Sequence, residues 1–366
     1  MNKLPQMDFP PDKIKLELLY VERDKSEAQT EAQPKSKAKA QPKALPKITS
    51  AYTKLTFPPA PADRPYLISS LVLSADGKMA FEDVRDGPAI AKENYFDPDG
   101  ALADFWVLNA LRASSDAVII GAGTLNSEPS TSGHILDPEL IDQRLSSRRA
   151  EEAETDAAKK TSAARETSDT AARDGGVSAH PLSGSLNRRH PVNFVVSFDG
   201  TDIPPDHFLF NIDPSEQLPV AVMTSPDGGE YLQANFPRPV QIYDSSAGRA
   251  AILHDLDPHS GVTPVITTGS NSKPDTPAFL ALLRRLNLEL VLVESPSYTS
   301  HLMHLESMDE AFVNYSMIYA GGTQSPGRSL AFTHTSHPHV KIIALAMHTE
   351  SFIYTRQRFF YGIGKE

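Results

Sequence analysis

The sequence predicts an α/β protein with a mostly parallel central sheet, flanking helices and a C-terminal antiparallel hairpin. Tyr66–Ser74 and Ala117–Gly121 are apolar runs that stop at small, polar or glycine residues, as buried strands do where their carboxyl ends open into a site. Between them, Leu102, Phe105, Leu108 and Leu111 recur at helical spacing over Ala101–Ala113, so the order is strand, loop, helix, strand. The alternation continues to the end of the chain, which is the pattern of a parallel sheet covered by helices.

The remaining elements follow in order. Val192–Phe198, Leu218–Thr224, Val240–Tyr243 and Pro264–Thr268 read as strands, with Asp199-Gly200 and Pro204-Pro205 marking turns. Thr276 is the expected N-cap, with Pro277 at the first helical position, of a helix through Asn287. Leu288–Val293 is a strand ending at Glu294, a helix follows near Tyr298–Leu305, and Ala311–Ala320 closes on Gly321-Gly322. Val340–Met347 and Ser351–Phe359 form the terminal hairpin. Two regions lack such patterning. Residues 1–60 read as a flexible N-terminal extension, with one short apolar patch, Ile14–Tyr20, that reads as either a strand or a helical turn, and rich in Lys, Ala, Gln and Pro over 26–50, before a domain over 61–366. Within that domain, 137–189 is a mixed-charge run of Ala, Glu, Arg, Thr and Ser that reads as a mobile insertion.

Composition narrows the function. Lys and Arg number 35 against 46 Asp and Glu, a net charge of −11 that argues against a nucleic-acid footprint. The absence of cysteine excludes disulfides, cysteine nucleophiles and thiolate zinc sites. No signal pattern opens the chain and no apolar run is long enough to span a bilayer, so a cytoplasmic protein without a membrane partner is expected.

Ligands of open α/β sheets bind outside the carboxyl ends of strands, near a switch in strand order. Three strand ends here carry polar or glycine residues: Ser74–Lys78, Gly121–Asn126 and Glu294–Ser297. Gly121-Ala122-Gly123-Thr124 is either a turn needing positive φ or a place where backbone N–H groups approach a ligand. Asp76 is either an ordinary turn residue or a carboxylate lining the cleft. Glu294 is either a charge favoured at a helix N-terminus or a group for proton donation and substrate hydrogen bonding. His301 and His304, and the trio His334, His337 and His339, read as surface or packing residues, and no metal site is expected.

Taken together, Arg64-Pro65-Tyr66 with Ser74-Ala75-Asp76-Gly77-Lys78-Met79-Ala80, Leu111-Arg112-Ala113 with Ser115–Thr124, Val222–Ser225, Leu292-Val293-Glu294, Met308-Asp309-Glu310 and Gly321-Gly322 resemble, in order, the pyrimidine reductases of riboflavin biosynthesis. That resemblance implies a dihydrofolate-reductase-like fold over about residues 64–361 and a homodimer. It implies NADPH along Gly121, Gly123, Thr124, Thr224, Ser225 and Ser295. Glu294 and Asp76 would frame the pyrimidine as catalytic residues, with Ser74, Arg112 and Asn126 on the substrate and Arg112 on its phosphate. The activity implied is hydride transfer to a small heterocyclic or imine/carbonyl substrate. The alternative is a non-catalytic member that binds a ligand or a partner. The sequence departs from the family at Ser295-Pro296, where two glycines are usual, at Ser70, at Ser127-Glu128-Pro129 and at His134. The zinc deaminase fused to many bacterial relatives needs cysteines, which this chain lacks.

Overall fold

The computed structural model describes residues 2–22, 44–84, 86–150, 153, 189–327 and 330–363. Its eleven strands form one sheet in the order β1-β10-β11-β9-β2-β8-β3-β4-β5-β7-β6. They are β1 (Glu17–Val21), β2 (Tyr66–Ser74), β3 (Ala117–Gly121), β4 (Val192–Val196), β5 (Val220–Thr224), β6 (Val240–Asp244), β7 (Thr263–Thr267), β8 (Leu290–Val293), β9 (Glu310–Ser316), β10 (His339–Met347) and β11 (Phe352–Phe360). From β9 through β2 to β6 all neighbours are parallel. The three pairings that hold β1, β10 and β11 are antiparallel.

Both faces of the parallel part are covered, which is why its strands read as continuous apolar runs. On one face Ile68, Val118, Ile120 and Leu292 pack with Trp106 and Leu111 of the helix Gly100–Ser114. On the other, Leu67, Ile119, Val291 and Val293 pack with Phe279 and Leu302, from the helices Thr276–Arg285 and Pro296–His304. Period-two alternation along each strand divides the residues between the two cores.

Several boundaries move. The cap of Thr276–Arg285 is Asp275, whose Oδ1 accepts from the Ala278 N–H at 2.9 Å, so Thr276 and Pro277 lie inside the helix. Gly121-Ala122-Gly123-Thr124 is no positive-φ turn. Gly121, at φ −75, leads directly into a short helix, Ala122–Ser127.

Both segments expected to be flexible carry ordered structure. Phe9, Ile14 and Ile48 are buried in the main core, and β1 pairs with β10. The apolar patch Ile14–Tyr20 holds the end of a short helix, Pro11–Ile14, and most of β1, whereas Phe9 and Ile48 are dispersed hydrophobes without a periodic signal, which only the tertiary core revealed. Residues 138–150 of the expected insertion form a helix with Leu140, Ile141 and Arg144 buried. Arg144 Nη1 donates to the carbonyls of Ala113 and Ser115, each at 2.7 Å, and so caps the end of the helix Gly100–Ser114. Within the insertion, residues 151–152 and 154–188 lie outside the described residues.

Two of the motifs singled out in the sequence meet at the amino ends of β2 and β9. Arg64 grips Asp309 bidentately at 2.6 and 2.9 Å, and Asp309 also accepts from the Leu67 N–H at 2.7 Å. Next to it, the fully buried Glu310 accepts from Tyr66 Oη at 2.9 Å and Arg356 Nε at 2.7 Å. The Arg356 guanidinium lies over Phe57, 4.6 Å from the ring centre, which ties the N-terminal segment to β11. These residues sit at the opposite end of the strands from the candidate site and hold the sheet together.

Candidate functional site

The connections after β3 and β8, neighbouring strands, leave on opposite faces. Ala122 and Leu125 of the helix after β3 join the core around Trp106, whereas Leu302 of the helix after β8 joins the core around Phe279. This divergence makes the carboxyl ends of β3 and β8, beside Gly121 and Glu294, the topological switch-point crevice at which parallel sheets bind ligands. A second divergence lies between β5 and β7, because Leu232 of the helix Pro226–Asn235 packs on the first face and Phe279 of the helix after β7 on the second. Three strand spacings separate the two, about 14 Å along the rim.

At the first crevice Arg112 and Glu294 form a bidentate ion pair, Nε to Oε1 at 2.7 Å and Nη2 to Oε2 at 2.6 Å. Arg112 stands in the last turn of the helix Gly100–Ser114, and Glu294 is fixed by its own N–H donating to the Ile119 carbonyl at 2.8 Å. Arg112 Nη1 donates to the His134 carbonyl at 3.0 Å, and the two side chains are only 3% and 10% exposed. The guanidinium is thus engaged on every nitrogen. This geometry conflicts with the expectation that Arg112 holds a substrate phosphate; its charge serves Glu294.

Ser295 sits over Gly121. A Cβ at Gly121 would lie 2.6 Å from Ser295 Oγ, so glycine is required there by a neighbouring side chain of this chain. Ser295, 2% exposed, caps the helix Pro296–His304 by accepting from the Tyr298 N–H at 3.4 Å, and its hydroxyl is 3.4 Å from that of Ser297. Gly123 has open space where a Cβ would stand, and Thr124 beside it is half-buried.

Asp76 and Ser74 lie elsewhere. β2 pairs Ser69 with Val293 and Ser74 with Ser316, so Ser74 stands about 13 Å further along the sheet than the level of Glu294. Ser74 Oγ donates to Asp76 Oδ1 at 2.6 Å, and the Ala320 and Gly321 N–H groups donate to the same carboxylate at 3.1 and 2.8 Å. The Ser74 hydroxyl and these backbone donors hold Asp76 down at about 2. It clasps the loop after β9, in which Gly321 takes φ +66. The structure does not bring Asp76 and Glu294 together around one ligand.

Asn126 is also committed, donating to the carbonyls of Ala122 at 3.0 Å and Asp202 at 2.6 Å. At the second crevice Thr224 and Ser225 are fully buried. Thr224 Oγ1 donates to the Phe198 carbonyl at 3.3 Å, and Ser225 Oγ accepts from the Gly228 N–H at 3.1 Å. The Asp227 N–H donates to the Asn271 carbonyl at 3.1 Å, and the Thr268 N–H to the Thr224 carbonyl at 3.1 Å. These bonds close the second crevice, and Thr224 and Ser225 do not fit the role of holding a nucleotide phosphate.

Around Arg112 and Glu294 stand two residues that the sequence marked only as departures from the family, and further down the same helix one that it passed over. Glu128 ends the short helix after β3 and is half-buried beside Gly87, whose Cβ would come 2.9 Å from its Oε1. Burial, with Asp86 and Glu294 nearby, pushes its carboxyl upward. His134, behind Arg112, is held down at about 4, by burial first and by the guanidinium second, and stays neutral. Asp104 sits two turns before Arg112 on the same helix and accepts from Asn314 Nδ2 at 2.7 Å; burial raises it to about 6. The available signal was spacing: Asp104, Leu108 and Arg112 share one stripe of a helix that is otherwise apolar on that side.

His301 is half-buried, and His304, His334, His337 and His339 are exposed. His301 Nε2 lies 3.1 Å from Thr276 Oγ1, and His304 stacks on Phe332 with ring centres 4.2 Å apart.

No protein-family profile matches the chain, and no curated protein does. Among solved structures it is similar to RibD of Acinetobacter baumannii, at 13% identity and TM-score 0.45, covering 81% of this chain and 59% of RibD. It is similar to a pyrimidine reductase-like protein of Corynebacterium diphtheriae, at 16% identity and TM-score 0.47, covering 81% of this chain and 93% of the other. The riboflavin biosynthesis reductase Rib7 of Saccharomyces cerevisiae matches at 9% identity and TM-score 0.42, covering 81% and 90%. The chain therefore spans less than two thirds of the RibD protein it matches. These likenesses concern the fold, and no residue role is transferred through them. No helix among the described residues is long and apolar enough to cross a membrane.

Proposed function

We propose that the protein is a reductase of the pyrimidine-reductase class, which transfers a hydride from NADPH to a small heterocyclic or imine/carbonyl substrate at the crevice between β3 and β8. The observation that carries this reading is the switch point itself. The short helix that holds Gly123, where a Cβ would meet open space, leaves the sheet on one side of it, and Glu294, fixed by Arg112, ends the strand on the other. Gly123, Thr124 and the exposed Ser297 hydroxyl fit the nicotinamide end of such a cofactor, which would supply the hydride when bound, whereas the buried Ser295 hydroxyl, spent on the Tyr298 N–H, does not. Thr224 and Ser225 do not fit its adenosine end, so that half would need other partners on the rim. Glu128, whose carboxyl is pushed upward, has the chemistry of a proton donor beside a reacting ring.

A second reading, a non-catalytic ligand-binding or interaction protein, is favoured by one observation: the Ser295 side chain fills the space over Gly121, and Pro296 removes a backbone donor there. NADPH titration by fluorescence or calorimetry, with NADH as control, separates the two. Micromolar binding that is lost on Gly123→Trp supports the reductase. Binding no tighter than about millimolar, roughly −4 kcal/mol, which tightens on Ser295→Gly supports the second reading.

The reductase reading includes a cytoplasmic setting and a homodimer. Tyr20, Val340 and Ile342 are 48%, 44% and 46% exposed on one face of the antiparallel strands, an apolar surface suited to a second copy. Sedimentation showing a clean monomer at micromolar concentration would refute the dimer.

A further inference from the structure

The crevice continues past Glu294 over β2. β8 ends at Val293, within one residue pair of Ser69, and the Glu294 N–H turns to the Ile119 carbonyl, so β2 has no strand beside it on that side beyond Ser69. Ser70 and Val72 are half-buried, although β2 lies in the middle of the sheet and both its ends are buried. They pair with Phe312 and Asn314 of β9 and share the face covered by the helix Gly100–Ser114.

From that helix the stripe Asp104, Leu108 and Arg112 meets this strip of the sheet. Arg112 marks one end through its pair with Glu294, and Asp104 the other by accepting from Asn314 Nδ2 at 2.7 Å. Leu108, between them, is half-buried. Eight residues of helix put the two ends about 12 Å apart.

Asp104 is left half satisfied. Asn314 is its sole hydrogen-bond partner among the described residues and takes Oδ1, while Oδ2 is unbonded and is not an enclosed atom, unlike the hydroxyl of Ser316 on β9. The Ser70 hydroxyl is likewise unbonded and open. No described Lys or Arg pairs with Asp104, and Arg112 is spent on Glu294 and the His134 carbonyl. Tyr354 of β11, the titratable side chain beside Asp104, has its phenol held well above the usual range, by burial first, and stays neutral. The charge left over at this end of the crevice is therefore negative.

We propose that Asp104 is a subsite of the crevice that takes a flat cationic nitrogen group, an amidinium or a protonated amino-substituted ring, at the end of the ligand away from Glu294. Its N–H groups would donate to Oδ2, with Ser70, Val72 and Leu108 lining the way to Glu294. Such charge-assisted bonds are short and strong, and more so where water is scarce. A phosphorylated ligand would meet an uncompensated carboxylate there. The subsite rests on the crevice being the ligand site, which both readings of the function share.

Benzamidine and benzamide are matched probes, because they have the same shape and only the first is a cation at neutral pH. Each is titrated into the full chain by calorimetry, without NADPH. Benzamidine is expected to bind at about millimolar or tighter, and at least about fivefold more tightly than benzamide. Asp104→Asn keeps the shape and the bond from Asn314, and is expected to remove that preference, whereas Glu128→Gln is expected to keep it. A second readout needs no variant. Burial raises Asp104 to about 6, and only its ionised form pairs with a cation. Benzamidine binding at pH 6 should therefore release about half a proton, read from heats in buffers of different ionisation enthalpy. The proposal is overturned if benzamidine binds no more tightly than benzamide up to about 10 mM, or if its binding at pH 6 releases no proton. It is equally overturned if the preference survives Asp104→Asn, or if Glu128→Gln alone removes it. Because NADPH is absent from these titrations, their failure leaves the reductase reading standing, and a failure to bind NADPH leaves the subsite standing.

Discussion

Removing either partner of the Arg112–Glu294 pair should destabilise the fold far more than removing both. In Glu294→Ala the guanidinium, 3% exposed, keeps only the His134 carbonyl as a hydrogen-bond acceptor, and two charge-assisted bonds at 2.6 and 2.7 Å are lost. An unpaired buried charge costs about 3–5 kcal/mol. Arg112→Met should cost about the same, by stranding a carboxylate that is 10% exposed. The double variant Arg112→Met/Glu294→Leu strands no charge and replaces the pair by apolar groups of similar length. It should fall within about 1–2 kcal/mol of the native protein. Urea unfolding of the four proteins closes the cycle, and the expected coupling is several kcal/mol. Single variants that each cost less than about 1 kcal/mol would refute the reasoning, as would a double variant as unstable as the sum of the singles. Either result would mean that the pair is solvated and that Arg112 is available to a ligand after all.

Three further outcomes are expected. Gly121→Ala should cost about 1–3 kcal/mol because its Cβ meets Ser295 Oγ, and Ser295→Gly in the same chain should recover most of the loss, read as a shift in the urea midpoint. Asp104, raised from 3.8 to about 6 by burial, binds its proton more tightly folded than unfolded, so its contribution to stability falls as pH rises between those values. Asp104→Asn should therefore exceed the native protein by up to about 3 kcal/mol at neutral pH and by much less at pH near 4; an equal difference at both would contradict this. Glu310→Ala strands Arg356 between two rings and removes the partner of Tyr66, and should cost about 3–5 kcal/mol in thermal or urea unfolding without altering ligand binding at the crevice.

The sequence by itself determined the parallel sheet. A strand largely buried on both faces is rich in apolar residues and small ones, and that pattern marks Tyr66–Ser74 and Ala117–Gly121 with the same limits the structure gives. Turn chemistry and helix periodicity placed most other elements to within a few residues, and the strand end at Glu294 pointed to the crevice. Only the tertiary structure decided what the marked polar residues do. Glu294 and Arg112 lie 182 positions apart, and nothing local announces that their charges satisfy each other. Asp76, Ser74 and Asn126 look like ligand-binding groups in one dimension because short polar side chains at strand ends serve equally well to hold loops, and here they hold loops. The buried residues Phe9 and Ile48 of the N-terminal segment were invisible for the complementary reason. Isolated hydrophobes have no period, and their burial is set by a core that other segments build.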